Sequence, residues 1–149
     1  VDRCGPAAPV VVVGFLPPWY PHRANLGANP GERVVEGAAL EAVREMKGRF
    51  GLDLEIRPFF EGVSDLSYCG FQGDDREMEV FAGNMPGWGR PYRLPVEALA
   101  GLDIPILNLG AVAKDSHKCT ERVHLPYMLE VYPEILRFVV GRIIEGHRP

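Results

Sequence analysis

The sequence predicts an α/β fold, a mostly parallel sheet flanked by helices. Two apolar runs, Val10–Phe15 and Ile104–Leu109, are too short for helices and rich in β-branched residues, as strands buried on both faces are. A third run, Leu52–Arg57, alternates with period two, the pattern of a half-buried strand. Segments with helical spacing separate these runs. The resulting order of strand, helix, strand, short helix, strand and helix marks a parallel sheet covered by helices.

Each element has a local reason. The first strand follows a loose start containing Gly5, Pro6 and Pro9, and Pro17, Pro18 and Pro21 end it. A long aperiodic loop then runs to Pro30 and carries Trp19, Tyr20 and His22. From Glu32 to Lys47, the positions Val35, Ala39, Ala42, Val43 and Met46 recur at helical spacing against a charged opposite face, and Gly48 suits the C-terminal stop. Leu52–Arg57 ends at Pro58. In the next segment, Gly62-Val63-Ser64-Asp65 opens what reads as a helix, with Ser64 or Asp65 as a normal N-cap. Residues 72–95 mix Gly, Pro, Asn and charges around Met85, Trp88 and Tyr92 and read as irregular, with room for one helical turn. Pro95–Ala100 reads as a short helix with Pro at its first turn. Pro105 assigns the following strand to an edge or to a strand start. After a loop from Gly110 to Pro126, the spacing of Met128, Val131, Ile135, Phe138, Val139, Arg142 and Ile143 predicts a terminal helix over Tyr127–Glu145, kinked or delayed at Pro133.

The bulk properties narrow the function classes. A chain of 149 residues without internal repeat, low-complexity tract or linker is read as a single segment, 1–149. Its net charge of −4 supplies no general basic field for nucleic acid or an anionic membrane, so neither is expected as a partner. No apolar run reaches the roughly 20 residues needed to cross a bilayer. Cys4, Cys69 and Cys119 are odd in number and lack CxxC spacing, which fits a reducing compartment, and the cytoplasm is the expected location. The chain opens on Val1 with no initiator Met, so a missing upstream part of the same polypeptide is expected.

Two clusters could carry chemistry. Gly110–Val123 follows a predicted buried strand, and ligand sites in α/β proteins form in such loops. Within it His117 offers an imidazole able to bind a borderline metal such as zinc, with Asp115 or Glu121 near enough in sequence to orient it. Lys114, Lys118 and Arg122 make a positive cluster suited to a carboxylate-bearing substrate, and equally consistent with a solvated loop. The second cluster is the Ser64-Asp65 turn, where a helix N-terminus can receive an anionic substrate group or be no more than capped. The remaining candidates have plainer readings. His22 reads as a surface loop residue, Trp19 and Trp88 as aromatic anchors for long loops, and Cys69 and Cys119 match no strong zinc template.

The order of these motifs resembles a known family. Val63-Ser64-Asp65, then Asp103-Ile104-Pro105 running to Gly110, then His117-Lys118-Cys119-Thr120-Glu121-Arg122-Val123 before a long helix is similar to the last third of the aminoacylase and carboxypeptidase G-like dinuclear zinc hydrolases. Phe15–His22, Ser64–Tyr68, Asn84–Gly89 and Lys114–Arg122 resemble the RocB branch, the arginine-utilisation proteins, across nearly the whole chain. The resemblance implies a metallopeptidase-type amide or acyl-amino-acid hydrolase acting on a small amino-acid-derived substrate. It implies two zinc ions in the whole site, with His117 as metal ligand and Ser64 and Asp65 beside substrate; Lys114, from the positive cluster, is the further substrate-binding candidate. The other family ligands lie upstream in the full-length enzymes. One imidazole does not hold zinc usefully, so the chain by itself is expected to be inactive. Thr120 in place of the family's usual Asn, and Ala111–Ala113 in place of a Gly-rich approach, bear on substrate preference. The reading also leaves room for a homodimer. The competing reading is a non-catalytic α/β module that binds a small ligand or a protein.

Overall fold

The computed structural model describes residues 9, 11–60 and 62–147. Its organising feature is a pair of packed helices. Helix α1, Pro30–Phe50, starts where three local signals coincide. Asn29 caps it by accepting from the Gly31 N–H at 2.8 Å, Glu32 reaches back to complete the capping box, and Pro30 occupies the first turn. It ends at Gly51, whose φ of 66° is the left-handed conformation that glycine adopts without cost. Gly48, the expected stop, lies within the helix.

Helix α4 spans Tyr132–Gly146 and is preceded by a π-type turn over Tyr127–Val131. Pro133 lies just after this turn, and because the backbone is already helical from Leu125 onward the proline does not delay the start of the helix. The two helices run antiparallel: Glu134 near the start of α4 pairs with Arg49 at the end of α1, and about two turns further along the contact Arg142 pairs with Glu41. Ala38 and Ala42 on α1 present small side chains, and Met46, Ile135 and Val139 fill the seam. At the far end the approach is closer still, since a Cβ on Gly146 would stand 2.7 Å from a Val34 methyl.

The expected mostly parallel sheet is not formed. Leu52–Arg57 and Ile104–Leu109 form no helix, and neither joins a ladder. Their apolar side chains are satisfied another way: Leu52, Leu54, Leu107 and Leu109 lie directly on the α1/α4 seam. Their backbone is held at single points, with Asn25 bonded to both the N–H and the carbonyl of Ile106 and the Ile104 N–H donated to Cys69. Val10 lies outside the described residues. The rest of the first expected strand is exposed and joins no ladder, with one backbone bond from the Phe15 N–H to Asn84. Gly14 permits that approach, for a Cβ there would meet the Asn84 carbonyl at 2.9 Å. The described residues hold one sheet, the two-stranded antiparallel hairpin of β1, Ala113–Lys114, and β2, Arg122–Val123.

Three further helical pieces complete the chain. A 3-10 turn covers Asp65–Cys69, capped by Ser64 as expected. Residues 72–95 contain more order than one turn, because Asp74 and Glu77 form a capping box that launches α2, Asp75–Gly83. The short helix α3, Val96–Leu102, follows Pro95 and buries Leu99. No helix among the described residues is long and apolar enough to cross a membrane.

The long loop before α1 is fastened by a buried ion pair. Arg23 and Glu32 are both almost wholly buried and meet at 3.0 Å, while the same guanidinium nitrogen reaches Asp103 and the Ile104 carbonyl. Burial alone would raise the Glu32 carboxyl, but hydrogen bonds from Arg23 and from the Asn29 and Leu26 N–H groups outweigh it and hold the group below the ordinary carboxylate range.

Candidate functional site

The segment 110–126 is positioned by the hairpin. Ala113 pairs with Val123 and Lys114 with Arg122, and the His124 N–H donates to the Val112 carbonyl to extend the register by one bond. This fixes a seven-residue tip between the strands. Within it Asp115 and His117 both adopt left-handed backbone, with φ of 57° and 64°. Asp tolerates this region fairly well, and His less so. The tip is closed by bonds from the Lys118 N–H to the Asp115 carbonyl and from the Glu121 N–H to the Lys118 carbonyl.

Side chains inside the tip are divided between scaffolding and display. Asp115 accepts from Arg122 at 2.8 Å, and Glu121 accepts from the His117 backbone N–H at 3.1 Å. These two carboxylates therefore hold the tip together and do not orient the His117 ring. The His117 imidazole and the Lys114 ammonium are exposed, and neither side chain has a hydrogen bond or ion pair among the described residues. His124 is a scaffold residue, since its Nδ1 accepts from the Tyr127 N–H at the entry to the terminal helix.

The second cluster lies at the 3-10 turn. Ser64 caps it through the Leu66 N–H and also places its hydroxyl 3.4 Å from the side-chain oxygen of Asn108. Asn108 was not singled out from sequence. Its signal was a polar residue near the end of the apolar run Ile104–Leu109, a position where a side chain faces away from the helices. Asp65 begins the turn and is exposed, with no ion pair to His117 among the described residues. The 3-10 turn is tied to the aromatic region by Tyr68, whose hydroxyl donates to the Trp19 carbonyl at 2.9 Å. Burial, with the neighbouring Tyr92 and Tyr20, pushes the Tyr68 phenol upward.

The chemistry of this donor set can be judged directly. No three His, Cys, Asp or Glu side chains converge as metal ligands among the described residues. Cys69 is half-buried and Cys119 exposed, both as free thiols, and Cys4 lies outside the described residues. The described residues alone do not make a zinc site. His22, 6.2 Å from the Phe59 ring centroid, sits on the loop surface. Trp19 and Trp88 pack into an aromatic cluster with Phe81, in the anchoring role their sequence context predicts.

Two proteins of Bacillus subtilis are similar to almost all of this chain. YqjN is 33% identical over 142 residues, which is 95% of the chain and 25% of that protein. Protein RocB is 28% identical over 138 residues, 93% of the chain and 24% of that protein. The chain thus spans about a quarter of the length of each relative. No protein-family model matches it, and neither does any solved structure.

Proposed function

We propose that this chain is the C-terminal segment of a RocB-like amide or acyl-amino-acid hydrolase and contributes part of a zinc-dependent site. The observation that carries the reading is the similarity to RocB, which runs through 93% of this chain yet takes in only 24% of that protein. A segment of that kind contributes groups to a site it does not complete. His117 is the metal ligand it offers. Ser64, Asp65 and Lys114 are its substrate contacts, and the remaining ligands belong to the rest of the longer polypeptide.

The local geometry supports these roles without requiring a complete site. The imidazole stands outward at the tip of a hairpin whose own carboxylates are already engaged, so it is available to an outside partner. Lys114, Lys118 and Arg122 surround it with positive charge, and one of the three is partly neutralised by Asp115. A substrate carboxylate, as in an acylated amino acid, is the group such a field attracts. The substrate class in this reading is that of arginine or related amino-acid catabolism, and the RocB likeness supports it.

The test compares the full-length protein with the 149-residue chain. In the full-length protein, His117→Ala lowers both bound zinc and acyl-amino-acid hydrolysis by about a hundredfold or more, as expected for loss of a metal ligand. Cys119→Ser leaves both near the parent values. The isolated chain retains no stoichiometric zinc and hydrolyses nothing. Full activity in His117→Ala, or tight zinc in the isolated chain, refutes the assignment.

A further inference from the structure

We propose that the cavity between the aromatic cluster and helix α2 binds a small organic cation, an ammonium or guanidinium carried on an apolar stem. The proposal does not depend on the hydrolase reading. The cavity is a groove open to solvent that offers about 600 Å³, room for an amino-acid-sized molecule. Phe15, Trp19, Phe71 and Phe81 line it together with Asp74 and Glu77, and Glu77 stands one turn before Phe81 on the same face of α2.

The aromatic wall is held in place before any ligand arrives. Phe81 is only 8% exposed and lies 4.8 Å from the Phe15 centroid and 4.3 Å from Trp19. Phe71 meets Trp19 edge-on at 5.9 Å. Trp19 itself is pinned on both backbone groups, its N–H bonded to the Tyr92 hydroxyl and its carbonyl to that of Tyr68, each at 2.9 Å. Such a wall loses little freedom on binding. The negative faces of Trp and Phe rings attract a cation most strongly when it is drawn out of water.

Charge selects the same occupant. Asp74 and Glu77 each spend one oxygen on the capping box of α2, and the other oxygen of each has no hydrogen-bond partner among the described residues. Among the described residues Arg76 is the single cationic side chain in the lining, and Asp75 and Glu79 add negative charge along the same helix. An anion would meet a net negative rim. A neutral apolar molecule would gain nothing from the two carboxylates.

The two tryptophans of the chain, Trp19 and Trp88, both lie in this cluster, so intrinsic fluorescence reports on it. Titration of the 149-residue chain with butylguanidinium and with butylammonium should give a saturable change with a dissociation constant in the millimolar range. Pentanol, the neutral analogue, should bind about tenfold more weakly. The double variant Asp74→Asn, Glu77→Gln keeps the capping oxygens but removes the charge, and should weaken both cations about tenfold while leaving pentanol unchanged. Phe15→Leu, at a half-exposed ring, should weaken the cations and spare pentanol, and it decides the matter if circular dichroism shows the double variant unfolded. Absence of saturable cation binding, equal affinity for pentanol, or unchanged cation affinity in folded variants overturns the proposal.

Discussion

Replacing Glu32 with Gln tests whether the buried ion pair fastens the long loop to α1. The change conserves shape and removes one charge. In the parent, Glu32 Oε1 accepts from Arg23 at 3.0 Å, while Oε2 accepts from the Leu26 and Asn29 N–H groups at 3.0 and 3.4 Å. A Gln that keeps its oxygen on the two backbone donors must turn its amide NH2 toward the guanidinium, setting donor against donor. A Gln turned the other way orphans the N–H groups. Removing one partner of a buried pair typically costs about 3–5 kcal/mol. Here Arg23 retains Asp103 at 3.1 Å and the Ile104 carbonyl, and the Asp103 side chain is 58% exposed, so its compensation is partly screened. The expected loss is therefore about 2–3 kcal/mol, a fall in melting temperature of about 5–10 °C for a chain of this size. Urea unfolding reads it as a lower midpoint with an unchanged slope. Asp103→Asn alone should cost under about 1 kcal/mol. Combined with Glu32→Gln, it should cost at least about 1 kcal/mol more than the sum, because the guanidinium then loses both carboxylates. A loss below about 0.5 kcal/mol for Glu32→Gln, or strict additivity of the pair, refutes this account of the clamp.

Other outcomes follow from the same structure. Because the folded-state pKa of Glu32 lies below its ordinary 4.5, the stability it contributes is present above pH 4.5 and is lost as pH falls through the folded value; a stability-versus-pH series should show that acid slope, shallower in Glu32→Gln, and identical slopes refute it. His117→Gly should leave stability unchanged or raise it by up to about 1 kcal/mol, since glycine relieves the left-handed backbone at no cost, and a midpoint lowered by more than about 0.5 kcal/mol argues against strain there. Val11, Val12 and Val13 are 83–89% exposed, so the isolated chain should bind an apolar dye and self-associate with rising concentration. Val12→Lys should reduce both, and a dye-silent monomer at every concentration tested contradicts the exposure.

How far the fold could be read from the sequence depended on whether the cause was local. The start of α1 is written in four consecutive residues, Asn29 to Glu32, and each acts on its own turn. The start of α2 is written as plainly in Asp74 and Glu77, but the surrounding Gly, Pro and charged residues hide the weak apolar period of a nine-residue helix. Gly48 and Gly51 are equivalent as letters. Only the backbone path, left-handed at the second, separates them. For the segments expected as strands, alternation correctly identified which side chains turn inward at Leu52 and Leu54. It could not say what they would meet, because a ladder depends on a partner distant in sequence, while packing on a helix satisfies the same apolar face.

The candidate site divides along the same line. Residue types around His117 announce charge and a possible ligand, and the sequence shows nothing of the conformation that displays them. Two non-glycine residues in left-handed backbone within three positions cost energy that something must offset. The structure supplies it from inside the tip: Asp115 grips Arg122, and Glu121 takes the His117 N–H. The carboxylates that sequence spacing suggested as partners for the imidazole ring are thereby committed to holding its backbone. The ring is left pointing outward with no partner of its own among the described residues. Whatever it serves must come from outside the hairpin, and the relatives, each about four times as long as this chain, have ample polypeptide to provide it.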